Sequence, residues 1–216
     1  MIFCIYGSGG LGREIFDVAV RRSAVSRDWE KIIFVDDFAE EGPFYGTERI
    51  SFASLQALGS NAECVIGVGE PSARESLSNK LHSHGIALAV LSDPSAIVCP
   101  SAHLGAGTVV MERCIVKANV EVGANVLLQP FSNIGHDIII GAHSVISPFC
   151  APGGGTVFGQ RVFVGMHVSV LEGLTVGDDA IIGMGSAVFR DVPAGATVLG
   201  NPARVTKGND EGKVFR

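Results

Sequence analysis

A period of six residues runs from residue 98 to residue 188 and restricts the fold of the chain more than any other feature. Every sixth residue from position 98 onward is Val, Ile or Leu in fourteen of sixteen cases, and the register does not slip. Such a period fits neither an amphipathic helix nor a plain strand meander. It fits a coil of three flat faces, each a short strand plus a tight corner. The anchors are Val98, Leu104, Val110, Val116, Val122, Leu128, Ile134, Ile140, Ile146, Pro152, Phe158, Val164, Val170, Val176, Ile182 and Val188.

The residues around each anchor also favour a stacked coil. Glycine follows the anchor at nine of the sixteen positions, and the residue two places before the anchor is mostly small or β-branched. We expect the anchors to form an inner column, the small residues to fit beside them, and glycine to ease the backbone at the corners. At about 18 residues per coil the segment makes roughly five coils, more than the three or so that such stacks need.

The first 92 residues follow a different pattern, in which short apolar runs alternate with helix-like segments. This order predicts a Rossmann-like α/β unit with a small parallel sheet. The change of pattern after Ser92-Asp93-Pro94 divides the chain into domains 1–92 and 93–216. The predicted strands are 2–6, 31–35, 64–68 and 86–91, and the predicted helices are 13–22, 52–58 and 72–82.

Charge and cysteine content narrow the class of partner and the compartment. A formal net charge of −6 argues against nucleic acid or an anionic membrane as the main partner, because both need a positive field. No apolar stretch approaches the roughly 18 residues of a membrane span, and the apolar start of the chain lacks the basic leader of a signal peptide. Five separated cysteines without a C-x-x-C pair suit reduced thiols. We therefore expect a cytoplasmic protein with a small-molecule substrate.

The repeat and its ending resemble the hexapeptide-repeat acyltransferases. In that family a Gly-x-Pro-Ala-Lys/Arg loop often follows the last coil, and here it reads Gly200-Asn201-Pro202-Ala203-Arg204. The α/β unit with its glycine-rich turn is similar to the branch of sialic-acid O-acetyltransferases and of the N-acetyltransferases for UDP-N-acetylbacillosamine and GDP-perosamine. The resemblance covers nearly the whole chain. It implies an all-β left-handed parallel β-helix, an exception to the right-handed crossover rule, with acetyl-CoA as co-substrate, no metal, and a homotrimer.

A glycine-rich turn follows the first predicted strand and opens the first predicted helix. Its free backbone N–H groups are suited to phosphate oxygens at the positive helix end. The turn also matches G-x-G-x-x-G, and the acidic pair Asp36-Asp37 ends the second predicted strand, so an NAD-dependent oxidoreductase and a purely structural turn stay open. Against NAD, the α/β unit is about half the usual dinucleotide-binding size, and no dehydrogenase-like substrate domain follows.

The resembling branch assigns this turn to the diphosphate of a nucleotide-linked sugar and the acidic region to its base or sugar. Many relatives carry His where this chain has Leu11, which leaves the identity of the sugar open. The predicted substrate-binding residues are Gly7, Ser8, Gly9, Gly10, Leu11, Asp36 and Asp37.

A second candidate site is the sequence Gly135-His136-Asp137. His136 comes two places after an anchor, at a corner that points outward. The adjacent carboxylate of Asp137 can orient the imidazole and stabilise its charged form, which prepares a general base. The resembling acetyltransferases carry His followed by Asp or Glu at this place, which implies direct acetyl transfer with His136 as the base. A solvated surface histidine is the alternative, and no G-x-S-x-G nucleophile motif competes.

The acetyl-CoA site is predicted from glycine corners. Gly154 lies one 18-residue coil after His136, and its N–H is expected to stabilise the oxyanion, although a loosened corner at 153–155 explains the same glycines. Gly183 and Met184 are the other predicted cofactor-binding residues. Relatives often carry a second histidine nine places after the base; here that position is Val145, and its role stays unassigned.

The predicted function is acetyl-CoA-dependent acetylation of the 4-amino group of a nucleotide-linked amino-deoxy sugar, with UDP preferred over GDP. A sialic acid O-acetyltransferase and a non-enzymatic β-helix that binds sugar nucleotides are the alternatives. A zinc-dependent trimer like the carbonic anhydrases needs three converging histidines. The available histidines, which lack the required spacing, are His103, His136, His143 and His167.

Overall fold

The chain folds into an α/β domain followed by a three-sided parallel β-helix, in a computed structural model that describes residues 1–209 and 212–215. Residues 210, 211 and 216 of the predicted second domain lie outside the described residues. The helices are α1 Gly10–Ser26, α2 Phe52–Leu58 and α3 Pro71–Ser83, with a 3₁₀ turn at Gly59–Asn61. The strands of the α/β domain are β1 Ile2–Tyr6, β2 Lys31–Val35, β3 Gly42–Phe44, β4 Thr47–Ile50, β5 Ala62–Ile66 and β6 Ala87–Leu88.

The sheet of the α/β domain has the order β3-β4-β2-β1-β5-β6. Its neighbouring strands are parallel except β3 and β4, which form an antiparallel hairpin. The predicted small parallel sheet is therefore mixed, because it gains this one antiparallel pair. The hairpin escapes sequence reasoning because its strands are short, begin with Gly42-Pro43 and lack an alternating apolar pattern. None of the helices among the described residues is long and apolar enough to cross a membrane.

The β-helix has three faces of two-residue strands, in which strands 18 residues apart pair in parallel. The exception is on the second face, where the ladder is interrupted between Asn133–Ile134 and Ala151–Pro152. The first face contains β7 Leu91–Ser92, β10 Val109–Val110, β13 Leu127–Leu128, β16 Val145–Ile146, β19 Phe163–Val164 and β22 Ile181–Ile182. The second contains β8 Ile97–Val98, β11 Ile115–Val116, β14 Asn133–Ile134, β17 Ala151–Pro152, β20 Ser169–Val170 and β23 Ala187–Val188. The third contains β9 His103–Leu104, β12 Glu121–Val122, β15 Ile139–Ile140, β18 Val157–Phe158 and β21 Thr175–Val176. The hairpin β24 Ala196–Gly200 and β25 Ala203–Gly208 extends the first face.

The inner column is made by the anchors, as the period predicts. From Val110 onward they are buried, and Pro152 also points inward despite its inability to donate a backbone hydrogen bond. The stack begins with β7, just before the predicted boundary at residue 92. We name the three edges by the face that they follow. The first edge contains 111–114, 129–132, 147–150, 165–168 and 183–186; the second, 117–120, 135–138, 153–156 and 171–174; the third, 123–126, 141–144, 159–162 and 177–180.

Glycines after the anchors make room between coils, and they do not carry the unusual backbone of the corners. A Cβ at Gly135 would lie 2.8 Å from the backbone nitrogen of Gly154, so only glycine permits this stacking distance. The left-handed backbone falls instead three residues after each anchor from Leu104 to Ile182, as in Phe131 with φ 62° and Asp137 with φ 57°. The expected role of these glycines at the corners was therefore wrong, because close approach of backbones selects them.

The α/β domain packs on the first face of the β-helix. Outward residues of that face, among them Val109, Leu127 and Val145, share one apolar core with Phe3 and Ile5 of strand β1. In a three-sided prism the edge between the second and third faces is opposite the first face. The second edge therefore lies on the side of the β-helix away from the α/β domain.

Candidate active site

A cavity of about 350 Å³ lies where β1, β2 and β5 end. Carboxyl ends of parallel strands, next to a change in strand order, are the usual place for a ligand in such sheets. Phe38, Gly67, Val68 and Leu77 also line this cavity, which we call the nucleotide cavity. It brings together every predicted substrate-binding residue: Gly7, Ser8, Gly9, Gly10, Leu11, Asp36 and Asp37.

The glycine turn exposes backbone donors to this cavity. A Cβ at Gly12 would overlap the carbonyl oxygen of Gly7, so the turn is tight only because both are glycine. Helix α1 begins at Gly10 with no side-chain cap and no acidic residue in its first turn. Within the described part of the chain, the amides of Gly9, Gly10 and Leu11 have no hydrogen-bond acceptor. This arrangement is suited to a phosphate group at the positive helix end.

The carboxylate of Asp36 holds the glycine turn in place. Its Oδ2 accepts hydrogen bonds from the amide of Ser8 at 3.1 Å and from Ser8 Oγ at 2.5 Å, and its Oδ1 accepts the amide of Phe38 at 3.0 Å. Burial opposes ionisation of Asp36, but these hydrogen bonds hold its pKa below the usual value. Asp36 is therefore ionised, and it stabilises the wall of the cavity through these hydrogen bonds.

The carboxylate of Asp37 belongs to a cluster that sequence reasoning missed. Its Oδ2 accepts the phenol of Tyr6 and the ammonium of Lys80, both at 2.6 Å, and Lys80 lies 4.0 Å from the ring centre of Phe52. Burial opposes ionisation of Asp37, yet the hydrogen bonds from Lys80 and Tyr6 lower its pKa. Burial, followed by the hydrogen bond to Asp37, raises the pKa of Tyr6. One predicted binding residue is therefore already paired with a cation.

A second cavity of about 700 Å³ adjoins the first at Leu11, which lines both. We call it the junction cavity, because α1, the first face and residues 214–215 surround it. Val145 lines it too, so Leu11 and Val145, whose roles the sequence left open, face the same space. Gly183 and Met184, two of the three predicted acetyl-CoA residues, also line this cavity at the first edge.

The segment 212–215 covers part of the junction cavity. The carboxylate of Glu70, before α3, accepts the amides of Val214 at 3.0 Å and Phe215 at 2.9 Å. The ring of Phe215 stands edge-on to Phe163, with ring centres 5.4 Å apart. No sequence pattern predicts this closure, since Glu70 and Phe215 are 145 residues apart.

His136 and Asp137 form the predicted pair on the second edge. The Nδ1 of His136 lies 2.6 Å from Asp137 Oδ2, and Asn119 Nδ2 donates to Asp137 Oδ1 at 3.0 Å. The hydrogen bonds from Asn119 and His136 lower the pKa of Asp137. Because the ionised carboxylate only accepts hydrogen bonds, a neutral imidazole carries its proton on Nδ1 and presents the Nε2 lone pair to solvent.

Gly154 supports the ring of His136 from the next coil. A Cβ at Gly154 would lie 2.6 Å from His136 Cε1 and 2.7 Å from Nε2, so any side chain there would displace the imidazole. The Gly154 amide has no acceptor in the part of the chain that the structure describes, a feature that it shares with other corner positions. Glycine at 154 therefore leaves room for the imidazole and presents an N–H beside it.

The predicted site residues fall into two groups on opposite sides of one chain. The nucleotide and junction cavities adjoin the first face, whereas His136, Asp137 and Gly154 lie on the second edge. The predicted acetyl-CoA residues are divided in the same way, with Gly154 apart from Gly183 and Met184. His103, His143 and His167 lie on the third face, the third edge and the first edge. No group of three metal-ligating side chains occurs within 1–209 and 212–215.

A buried arginine that the sequence did not single out ties the nucleotide cavity to the third edge. Arg74 in α3 is fully buried and donates to the carbonyl oxygens of Ile66 at 2.8 Å and Val68 at 3.0 Å, on either side of Gly67. It also donates to the carbonyl of Asn125 at 2.8 Å and to its Oδ1 at 2.7 Å. Burial lowers the pKa of Arg74 to about 9, so the guanidinium is charged at neutral pH.

Comparisons with known proteins agree with this two-part architecture. Residues 3–81 match the PglD N-terminal domain family, and residues 119–151 match the bacterial transferase hexapeptide family. A variant of perosamine N-acetyltransferase from Caulobacter crescentus, solved with CoA and GDP-perosamine, is 27% identical with a TM-score of 0.88, over 96% of this chain and 97% of that one. The acetyltransferase domain of PglB from Neisseria gonorrhoeae is 28% identical with a TM-score of 0.88, over 95% and 99%.

WeeI from Acinetobacter baumannii shares the fold, with a TM-score of 0.88 at 24% identity over 95% of this chain and all of its own. No curated protein sequence matches the chain.

The protein is an acetyltransferase, and its α/β domain with a small mixed sheet, followed by a left-handed β-helix of hexapeptide repeats, resembles the hexapeptide-repeat class. Within that class it resembles, over nearly its whole length, the branch that contains the perosamine N-acetyltransferase and the PglB acetyltransferase domain. The predicted fold class and the predicted resemblance are both confirmed.

Proposed function

We propose that the protein transfers the acetyl group of acetyl-CoA to the 4-amino group of a nucleotide-linked amino-deoxy sugar. The observation that carries the proposal is the arrangement of His136, whose Nδ1 is held by Asp137 while Nε2 remains open beside the Gly154 amide. The free amides at the start of α1 supply the matching site for the diphosphate of the acceptor. The sequence-based preference for UDP over GDP stays a prediction.

The reaction relays one proton through His136, from the amine to the leaving thiolate, and needs no covalent enzyme intermediate. The neutral amine attacks the thioester carbonyl carbon while Nε2 of His136 removes its proton, and Asp137 stabilises the imidazolium that results. Negative charge develops on the carbonyl oxygen, which the Gly154 N–H is suited to stabilise. The C–S bond then breaks, and the leaving thiolate receives the proton from His136. The products are the acetamido sugar and free CoA.

We further propose that each active site is shared between two copies in a homotrimer. One copy contributes the nucleotide and junction cavities, and the neighbouring copy contributes its second edge with His136. The opposite placement of these groups in one chain supports this arrangement, since an amine held in the cavities needs a base that approaches from outside. The same contact would bring Gly154 of one copy near Gly183 and Met184 of the other, which are the predicted acetyl-CoA residues. The expected location is the cytoplasm, in keeping with five free cysteines.

The test is CoA thiol release from acetyl-CoA with UDP- and GDP-linked 4-amino-6-deoxy sugars and a sialic acid as parallel acceptors. Release with one amino sugar, lost by roughly 10²-fold or more in His136→Ala, is the expected result. His103→Ala, an exposed histidine of the third face, is the matched control and keeps full turnover.

If only the sialic acid is acetylated, the protein is an O-acetyltransferase and the proposed N-acetylation is wrong. Near-normal turnover in His136→Ala would rule out the proposed base, and retained sugar-nucleotide binding without any turnover in the wild type would favour a binding protein.

A further inference from the structure

Four exposed side chains form a ladder along the first edge at intervals of 18 residues. The rings of Phe131 and Phe149 are stacked with centres 4.9 Å apart and planes 5° apart, and Phe149 and His167 are stacked at 4.9 Å and 1°. The guanidinium of Arg113 lies 5.8 Å from the Phe131 ring centre. We call Arg113, Phe131, Phe149 and His167 the aromatic ladder.

In a single chain, the aromatic ladder exposes apolar side chains to solvent and requires an unfavourable backbone conformation. Phe131 and Phe149 are 45% and 49% exposed, and Met166 and Met184 beside them are 42% and 63% exposed. Both phenylalanines also have left-handed backbone, with φ 62° and 61°, a conformation that bulky residues rarely adopt. A contiguous apolar surface of this kind is typical of a contact with another protein.

The aromatic ladder lies beside the junction cavity. Ser147, Pro148, Gly165, Met166, Gly183 and Met184 line that cavity, and Phe149 and His167 are the next residues along the first edge. Any surface that closes this side of the cavity must therefore meet the ladder. In the shared site proposed above, that surface is the second edge of another copy.

The second edge has the shape to receive the ladder. In a cyclic assembly whose β-helices lie parallel to the symmetry axis, copies are not shifted along that axis, so equal coils face each other. Phe131 then lies at the level of His136 and Asp137, and Phe149 at the level of Gly154 and Gly155. His167 then lies at the level of Gly173 of the neighbouring second edge, where an added Cβ would have no atom within 4 Å.

The chemistry of the two edges is also complementary. The cation of Arg113 lies one coil from the anionic carboxylate of Asp137, which favours attraction between the edges. Ile139 and Val157, the residues of the third face nearest to the second edge, are 48% and 37% exposed and provide apolar surface for the rings.

We propose that the aromatic ladder is the surface on which the second edge of a neighbouring copy packs, so that Phe131 and Phe149 wall the acetyl-transfer site beside the neighbour's His136. This inference rests on the proposed shared site and adds the residues that form it. Burial of the rings excludes water from the thioester and fixes His136 against the junction cavity.

The experiment compares Phe149→Arg with the wild type by sedimentation, acetyl transfer and nucleotide-sugar binding. The variant is expected to sediment as a single chain, to lose transfer by at least 10²-fold, and to bind the nucleotide sugar with an affinity within about threefold of the wild type, because the nucleotide cavity lies within one chain. Val25→Arg on α1, which replaces a residue that is 73% exposed, is the matched control and is expected to behave as the wild type.

A Phe149→Arg variant that still forms the trimer and turns over normally would overturn the inference. Phe131→Glu provides a second variant, and far-UV circular dichroism of both establishes that they fold. A wild type that assembles through the ladder but transfers no acetyl group would refute the proposed function alone. A wild type that is active as a single chain would refute the shared site and the ladder contact together.

Discussion

At the scale of single residues, the second edge illustrates how backbone geometry prepares a reactive side chain. Asp137 takes the left-handed corner position, which turns its carboxylate toward the preceding imidazole. Gly154 leaves the space in which that imidazole lies. The pair is therefore positioned by two neighbouring coils and needs no further contact from the α/β domain.

Gly154→Ala should slow acetyl transfer by displacing the His136 ring while leaving its own backbone N–H in place. A displacement of about 1 Å can cost on the order of 10²-fold in rate, and the loss should appear in kcat with little change in KM for the nucleotide sugar. The check is a double-mutant comparison. In a His136→Ala background the same substitution should add no further loss, and an additional loss of similar size there would contradict the role of Gly154 through His136.

Asp93 makes a pH-dependent contribution to stability where the two domains meet. Its side chain is 2% exposed, and it accepts Arg21 Nε at 2.7 Å and the amide and Oγ of Ser95 at 2.8 and 2.7 Å. Burial opposes ionisation, but the Ser95 and Arg21 contacts hold the pKa of Asp93 below its usual value. The stabilisation is therefore present above the unfolded-state pKa and is lost as the pH falls through the lower folded-state pKa.

Asp93→Asn should lower the free energy of unfolding at neutral pH by roughly 1–3 kcal/mol, the value of hydrogen bonds to a buried charge. The difference between variant and wild type should shrink as the pH falls through the folded-state pKa of Asp93. Urea unfolding at neutral and at acid pH measures this difference. Asp28→Asn, which alters an exposed pair with Arg22 at 3.5 Å, should cause little change at either pH, and an equal loss in both variants would rule out the specific role of Asp93.

At the scale of elements, helix α3 joins the wall of the nucleotide cavity to the β-helix. Arg74 fixes the carbonyl groups on both sides of Gly67 and reaches Asn125 on the third edge. The side chain of Asn125 also contacts His143, which lies one coil further on, with 3.1 Å between Asn125 Nδ2 and His143 Nδ1. Burial lowers the pKa of His143. Helix α3 thus fixes the position of the nucleotide cavity relative to the third edge.

Arg74→Met should destabilise the fold by roughly 3–5 kcal/mol, because it leaves the buried acceptors of Ile66, Val68 and Asn125 without donors. Arg22→Met on α1, an exposed arginine, is the control and should change stability little. Chemical unfolding monitored by Trp29 fluorescence is the measurement. A loss in Arg74→Met no larger than that of the control would show that the buried contacts contribute nothing net.

At the scale of the whole molecule, one chain holds the two groups of candidate site residues on opposite sides of the β-helix. The cavities open beside the first face, and His136, the proposed general base, lies on the opposite edge. The proposed cyclic trimer would pair the two groups three times with equivalent contacts, since each copy offers a different surface to each neighbour.

Mixing two inactive variants tests this organisation directly. His136→Ala removes the base, and Gly9→Asp places a negative charge in the diphosphate site, where an added side chain meets no other atom. Trimers formed by refolding an equal mixture should recover about a quarter of the wild-type activity, because one site in four pairs an intact cavity with an intact histidine from its neighbour. Absence of any recovery in well-formed mixed trimers would indicate a site within one chain.

The repeat architecture and the local geometry of the candidate site were predictable because local patterns determine them. The hexapeptide period fixes the inner column, the glycine turn between β1 and α1 leaves free amides at the start of a helix, and the pair His136-Asp137 is adjacent in the chain. The aromatic ladder was also present in the sequence as an 18-residue spacing, and that signal went unused. The hairpin β3–β4 was missed because its short strands carry no alternating apolar pattern.

Only the tertiary structure decided how these parts face each other. It placed Leu11 and Val145 in one cavity, although 134 residues separate them in the sequence. It also joined Arg74 to Asn125, and it put the α/β domain on the first face, opposite the second edge. A period along the chain specifies which residues point inward, but it does not specify which outer face a second domain covers. That choice depends on apolar surfaces and buried hydrogen bonds that form only when distant segments pack together.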